Sequence, residues 1–164
     1  MSVSVKEGNF IQEIFTVQPD SINSAQAVFD AFEIGKCEKT PHVEEFIKKA
    51  TYGPSDYKFD VIITTPGSLD FKKGGSRSEI FEFAKNKYGL GLFSDQEVFR
   101  IRCFFKEIIL GQIFFAATEP VIYKGRPHIY LLERFVIGRE RHLSNVESKD
   151  RRFTARNQIM FKCL

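Results

Sequence analysis

Two hydrophobic periods alternate along this chain, one near 3.6 residues and one of 2, and they divide it into helices and strands. Residues 10–17 read as an extended run that Pro19 closes. Ile22, Ala25, Val28, Phe29 and Phe32 then recur at helical spacing. They predict a helix over 21–34, capped by Asp20 or Ser21 and stopped by Gly35. Thr40 followed by Pro41 reads as an N-cap with proline in the first turn. The helix it opens, over 41–50, carries Val43, Phe46 and Ile47 on one face. Together the two form an expected N-terminal helical hairpin, separated by a Gly-Pro-Ser linker over 51–57 from the rest of the chain.

Beyond residue 58 the period of 2 dominates. A β-branched run over 59–65 reads as a strand. Gly74 and Gly75 precede Ser76, which forms a capping box with Glu79, and a helix to Tyr88 should bury Ile80, Phe81, Phe83 and Ala84 before Gly89 ends it. Over 97–105, Phe99, Ile101, Cys103 and Phe105 alternate with Arg100 and Arg102, which predicts a strand with an arginine face. Residues 112–117 read as its antiparallel partner. Residues 120–123 and 128–137 flank a Lys124-Gly125 turn as a hairpin. Residues 145–150 read as a polar loop, and 152–161 as a last strand that sets Phe153, Ala155, Ile159 and Phe161 against Arg152, Thr154, Arg156 and Gln158. The expected fold is one α+β domain over 1–164, a helical hairpin packed with a mostly antiparallel sheet of about five strands and one inserted helix.

The stretch Leu69-Asp70-Phe71-Lys72-Lys73-Gly74-Gly75-Ser76, with Glu79-Ile80, Ala84 and Gly89-Leu90-Gly91-Leu92, resembles a segment of small bacterial proteins of uncharacterised function. In that family the segment is succeeded by an acid-valine pair, an alternating-arginine strand, a strand ending in Glu-Pro and a closing Asp-Arg-Arg-Phe strand. Glu97-Val98, Arg100 and Arg102, Glu119-Pro120 and Asp150–Phe153 stand at those places here. The family carries tryptophans and a Cys-Pro turn, where this chain has Phe93-Ser94-Asp95 and no Trp. The resemblance implies a bacterial cytoplasmic setting and supplies no mechanism.

Composition changes this picture little. The chain has 164 residues, enough for a sizeable core. Its 18 Phe fit an interior that needs no polar partner for its rings. Cys37, Cys103 and Cys163 are odd in number and match no zinc spacing, so reduced thiols in a cytoplasmic protein are expected, with no metal and no cofactor. The first ten residues lack the apolar core of a signal peptide. The apolar stretch over 108–117 is too short to span a bilayer, so a soluble protein without a membrane partner is expected.

Charge is uneven. Residues 1–99 carry 11 Lys and Arg against 15 Asp and Glu, and residues 100–164 carry 13 against 6. Arg100, Arg102, Arg152 and Arg156, with Arg139 and Arg141, would form an arginine-rich sheet face, with Tyr123 and Tyr130 beside it. Guanidinium forks suit carboxylates and phosphates. The leading expectation is a non-enzymatic module that binds another protein through this face. The alternative is RNA or single-strand binding, with the tyrosines as stacking platforms. The bland account pairs these arginines with acids of the helical hairpin such as Asp30, Glu33, Glu44 and Glu45.

Two further sets carry candidate chemistry. Gly74, Gly75, Ser76 and Lys73, with Lys72 and Arg77, could cradle an anion at a helix N-terminus, although no full phosphate-loop spacing is present. Glu119, Tyr123, Arg126 and His128, near Glu133 and Arg134, offer the materials of acid–base catalysis on one hairpin, a second alternative. His42 is expected to be exposed and His142 to belong to the basic rim.

Overall fold

The computed structural model describes residues 11–105, 111–134, 141–147 and 151–164. Expectations falling on Phe10, on 108–110, on 135–137, on Arg139 and on 148–150 lie outside them. The elements run β1 Ile11–Val17, α1 Ala25–Ile34, β2 Cys37–Lys39, α2 Pro41–Lys49, β3 Phe59–Thr64, a 3₁₀ turn Pro66–Leu69, β4 Gly75–Ser76, α3 Arg77–Tyr88, β5 Leu90–Gly91, α4 Asp95–Phe104, β6 Ile113–Ala116, β7 Val121–Tyr123, β8 Arg126–Arg134, β9 Arg141–Glu147, β10 Arg152–Phe153 and β11 Gln158–Cys163.

The α+β class holds, but the expected arrangement does not. One mixed sheet of nine strands, curled into a half-barrel, runs β1-β3-β11-β6-β8-β9-β2, with β5 beside β11 and β7 beside β8. Two of its pairings are parallel, β11 with β6 and β2 with β9. The N-terminal helices form no hairpin, because the chain between them enters the sheet as β2 and pairs with β9. Lys36, at φ 49°, supplies the left-handed turn into it, while Gly35 stays right-handed.

The second correction concerns 97–105, which is the helix α4. Ser94 and Glu97 form a capping box at its start, which outweighs the apparent alternation. Val98, Phe99 and Ile101 are buried, and so are Gln96, Glu97, Arg100 and Arg102, so the helix is enclosed around its whole circumference over 96–102, while Phe104 at its end is exposed. The sheet partner expected for this segment is replaced: β6 pairs with β8 and β11. Residues 141–147 are a strand where part of a loop was expected, and a tight turn held by Asn157 splits 152–161 into β10 and β11.

Other local signals act as read. Thr40 caps α2, whose first residue is Pro41, and Ser76 with Glu79 caps α3, which ends at the left-handed Gly89. Lys124 and Gly125, both at positive φ, close the β7–β8 hairpin as a type I′ turn. Ser24, not Asp20 or Ser21, caps α1. Two cores lie on the two faces of the sheet. Val28, Phe32, Val43, Phe46, Phe99, Ile101 and Tyr130 belong to the first, under α1, α2 and α4. Ile80, Phe81, Phe115, Phe153, Ile159 and Phe161 belong to the second, under α3. Among the described residues no helix is long and apolar enough to cross a membrane.

Candidate functional site

The arginines expected to share one face are dispersed. Arg100 and Arg102 are 0% exposed on α4. At about 100° per residue, two positions on a helix separate by about 200°, so these two cannot line one surface. Arg100 donates through Nε to Asp20 at 2.8 Å and through Nη2 to the carbonyls of Gln18 and Tyr57, at 3.1 and 2.6 Å. Its guanidinium lies over the Tyr57 ring. It therefore fastens the segments before α1 and β3 to α4. Gln96 assists by bonding Ile22 and Gly53, and Lys162 closes on Glu97 at 2.6 Å. Arg102 donates to the carbonyl of Phe105. Arg152 and Arg156 are exposed, on β10 and in the turn after it. Of Arg141 only the backbone, in β9, is described. Tyr130 is 0% exposed, ringed by Phe46 and Phe99, so no base can stack on it. Burial, with Asp95 nearby, pushes its hydroxyl far up, and holds the Tyr52 hydroxyl up to about 12.

The turn of Gly74, Gly75 and Ser76 has a structural explanation. A Cβ on Gly74, at φ +74°, would stand 2.0 Å from the carbonyl oxygen of Phe153. Gly75 and Ser76 pair with β10 as β4. At the start of α3 the Ser76 hydroxyl takes the Glu79 N–H, and Arg77 N–H goes to Arg151 O. These donors are spent inside the chain, and Lys73 is exposed beside them.

The residues of the β7–β8 hairpin meet other partners than the sequence suggested. Glu119 is 82% exposed and faces Arg77 at 3.8 Å. Arg126 is exposed. Glu133 accepts from Ser144 at 2.6 Å. His128 is buried, and it meets His42, Tyr123 and Phe46 of the first core face. The His42 and Tyr123 rings are 4.5 Å apart. Asn145, on β9, binds them together. Thr40 accepts Val43 N–H as the cap of α2, so its own proton goes to Asn145 Oδ1 at 2.9 Å. The amide nitrogen then faces Nδ1 of His128 at 2.8 Å and, more weakly, Nδ1 of His42 at 3.4 Å. An amide nitrogen only donates, so each Nδ1 can take this bond in the tautomer that is protonated at Nε2. The sequence pointed to His128 and Tyr123; His42, Thr40 and Asn145 were missed, being up to 105 residues apart. Only the Thr40 cap left a local signal.

Beside this cluster runs a groove of about 550 Å³ between α2 and the hairpin, lined by Pro41, Glu44, Glu45, Lys49, Ile122, Tyr123 and Lys124. Lys48 bridges Glu44 at 3.0 Å and Glu45 at 3.4 Å, and the hydrogen bond to Lys48 lowers the Glu44 carboxyl. The lining itself is balanced, with Lys49 and Lys124 against Glu44 and Glu45. Because Lys48, outside the lining, already bridges both carboxylates, Lys49 and Lys124 have no salt bridge among the described residues. Ile122 is 66% exposed. It stands opposite Pro127, between the Tyr123–Arg126 and Val121–His128 pairs. In a two-residue hairpin that is a non-hydrogen-bonded position, so its N–H and C=O point away from β8. Compared with known proteins, the chain matches no family model, no curated sequence and no solved structure.

Proposed function

We propose that the chain is a non-enzymatic binding module whose ligand is an extended segment of a partner protein, laid along β7 in the groove against α2. The outward backbone and exposed side chain of Ile122 carry this reading. A strand edge with unspent N–H and C=O groups pairs readily with an added strand. The segment would alternate apolar and acidic residues. One apolar side chain seats on Ile122, and a carboxylate pairs with Lys49 or Lys124, whose neighbours Glu44 and Glu45 are already held by Lys48. The protein-binding class expected from the sequence is kept, and its surface moves from the arginine face to this groove. We also place the chain in the cytoplasm, on the ground that none of Cys37, Cys103 and Cys163 is in a disulfide.

Selection from a random displayed-peptide library, with fluorescence anisotropy of the selected peptides, tests the reading. Peptides of alternating apolar and acidic residues should emerge, with dissociation constants below roughly 0.1 mM. Ile122→Asp should weaken them more than tenfold while leaving the melting temperature in place. Peptides whose affinity ignores Ile122→Asp, or a library that yields none, would overturn it.

A further inference from the structure

The opposite face of the sheet carries an electrostatic imbalance that the groove does not involve. Arg77, the first residue of α3, is only 16% exposed in its side chain. Its guanidinium lies 4.7 Å over the Phe81 ring, and Nη2 donates to the carbonyl of Thr118. Arg151 adjoins it, because the Arg151 carbonyl accepts the Arg77 N–H at 3.1 Å. The Arg151 guanidinium lies over Phe115 at 4.8 Å and over Phe153 at 5.9 Å. Phe81, Phe115 and Phe153 pack together as one apolar cluster, so both cations rest on the same aromatic bed. Burial pulls both guanidinium pKa values down.

Among the described residues, the acids nearby do not balance them. Glu119 reaches only to 3.8 Å of Arg77 from an 82% exposed position. Glu79 is committed to the Ser76 N–H at 2.8 Å and to the Ser76 hydroxyl at 2.6 Å. Three buried polar atoms here have no hydrogen-bond partner: Arg77 Nε, Arg151 Nε and Thr118 Oγ1. Thr118 is 1% exposed. A buried polar atom without a partner is costly, so three in one neighbourhood point to a ligand that takes them up.

We propose that Arg77, Arg151 and Thr118 form a binding site for a tetrahedral phosphate oxyanion, either inorganic phosphate or a small phosphomonoester. Two guanidinium forks and one hydroxyl offer donors to three oxygens, where a carboxylate has only two. Two cations set against one exposed carboxylate among the described residues, that of Glu119, favour a multiply charged anion. The half-buried Arg151 side chain swings off Phe115 to admit it, since its Nε is covered in the present arrangement. This site replaces the glycine turn as the proposed anion-binding element, and it takes in Arg77, the first residue of α3. It does not rest on the groove reading, and either can fail without the other.

The test is thermal unfolding and ¹⁵N side-chain NMR of the whole chain at constant ionic strength. Inorganic phosphate and phenyl phosphate are titrated against acetate. Both phosphates should raise the melting temperature saturably and shift the Arg77 and Arg151 Nε–H resonances, while acetate does neither. A larger effect of phenyl phosphate assigns the source as a phosphomonoester, and equal effects assign inorganic phosphate. Arg151→Met, which keeps the apolar stem on Phe115, should lose more than nine-tenths of the phosphate response. Should that variant fail to fold, the NMR shifts in the unaltered chain decide alone. No saturable shift, an equal response to acetate, or an undiminished response in a folded Arg151→Met would overturn the proposal.

Discussion

Replacing Arg100 by Ala should be among the most damaging single changes in this protein. The side chain is 0% exposed and makes three hydrogen bonds, to Asp20 and to the carbonyls of Gln18 and Tyr57. Removing one member of a buried ion pair typically costs about 3–5 kcal/mol, because the other is left uncompensated. Asp20 is 27% exposed and retains the Ile22 N–H at 2.8 Å, so water and that bond soften the loss. The two carbonyls each lose a charged donor, worth about 1 kcal/mol or more apiece. The expected net cost is about 4 kcal/mol, a large part of the roughly 5–15 kcal/mol that holds a domain folded. Equilibrium urea unfolding monitored by far-UV circular dichroism reads it directly. Arg152→Ala and Arg156→Ala, both at exposed positions, should stay within about 0.5 kcal/mol of the parent. Raising salt should hardly change the Arg100 penalty, since a buried pair is poorly screened. An Arg100→Ala cost below about 1 kcal/mol, or one matched by Arg152→Ala, would refute the reasoning.

Gly74→Ala should cost at least about 3 kcal/mol in urea unfolding, since its Cβ would meet Phe153 O at 2.0 Å at a positive φ; Gly125→Ala, also at positive φ but with nothing within 4 Å, should cost only about 1 kcal/mol. Burial raises the Asp95 carboxyl above its usual range, partly opposed by the Tyr130 hydroxyl, so the native chain keeps this proton where the unfolded chain has released it. Asp95 therefore withdraws stability as pH climbs from about 4 through its native value, and Asp95→Asn should gain on the parent across that window and hold a constant lead above it. Urea midpoints from pH 3 to 7 check this, and a gap that does not widen with pH rules it out.

What was legible in the sequence was the chemistry of element ends. Thr40 with Pro41, Ser76 with Glu79, Gly89, and Lys124 with Gly125 each act as expected, because a cap or a turn is settled by bonds within four residues. What stayed hidden depended on distant neighbours. β2 is three residues long and exists because β9, more than a hundred residues later, offers it a parallel edge. The two parallel pairings leave no mark on either strand, since period 2 is common to parallel and antiparallel sheets. Core membership was easier: Phe99, Ile101, Phe153 and Ile159 are all buried, the first two in a helix whose residues alternate like a strand.

That alternation is why the arginine face was misplaced. Apolar residues at 99, 101, 103 and 105, with arginines at 100 and 102, satisfy strand periodicity, and a helix buried on one side would not produce that pattern. Over 96–102 α4 is covered on every side, so its apolar residues there need no helical stripe, and Arg100 and Arg102 point inward where bonds await them. Ser94 and Glu97 held the better signal, because a capping box marks a helix start whatever the periodicity after it. The charge asymmetry then acquires a different meaning. Arg100 with Asp20 and Lys162 with Glu97 join the basic C-terminal part to the acidic N-terminal part inside the fold. Acids of the two N-terminal helices have local partners instead: Gln26 holds Asp30, and Lys48 holds Glu44 and Glu45. The pairing of halves is real, but it runs through α4 rather than through the exposed helix faces. On the other face of the sheet, Arg77 meets only the exposed carboxylate of Glu119, and Arg151 rests on Phe115 and Phe153 with no ion pair among the described residues.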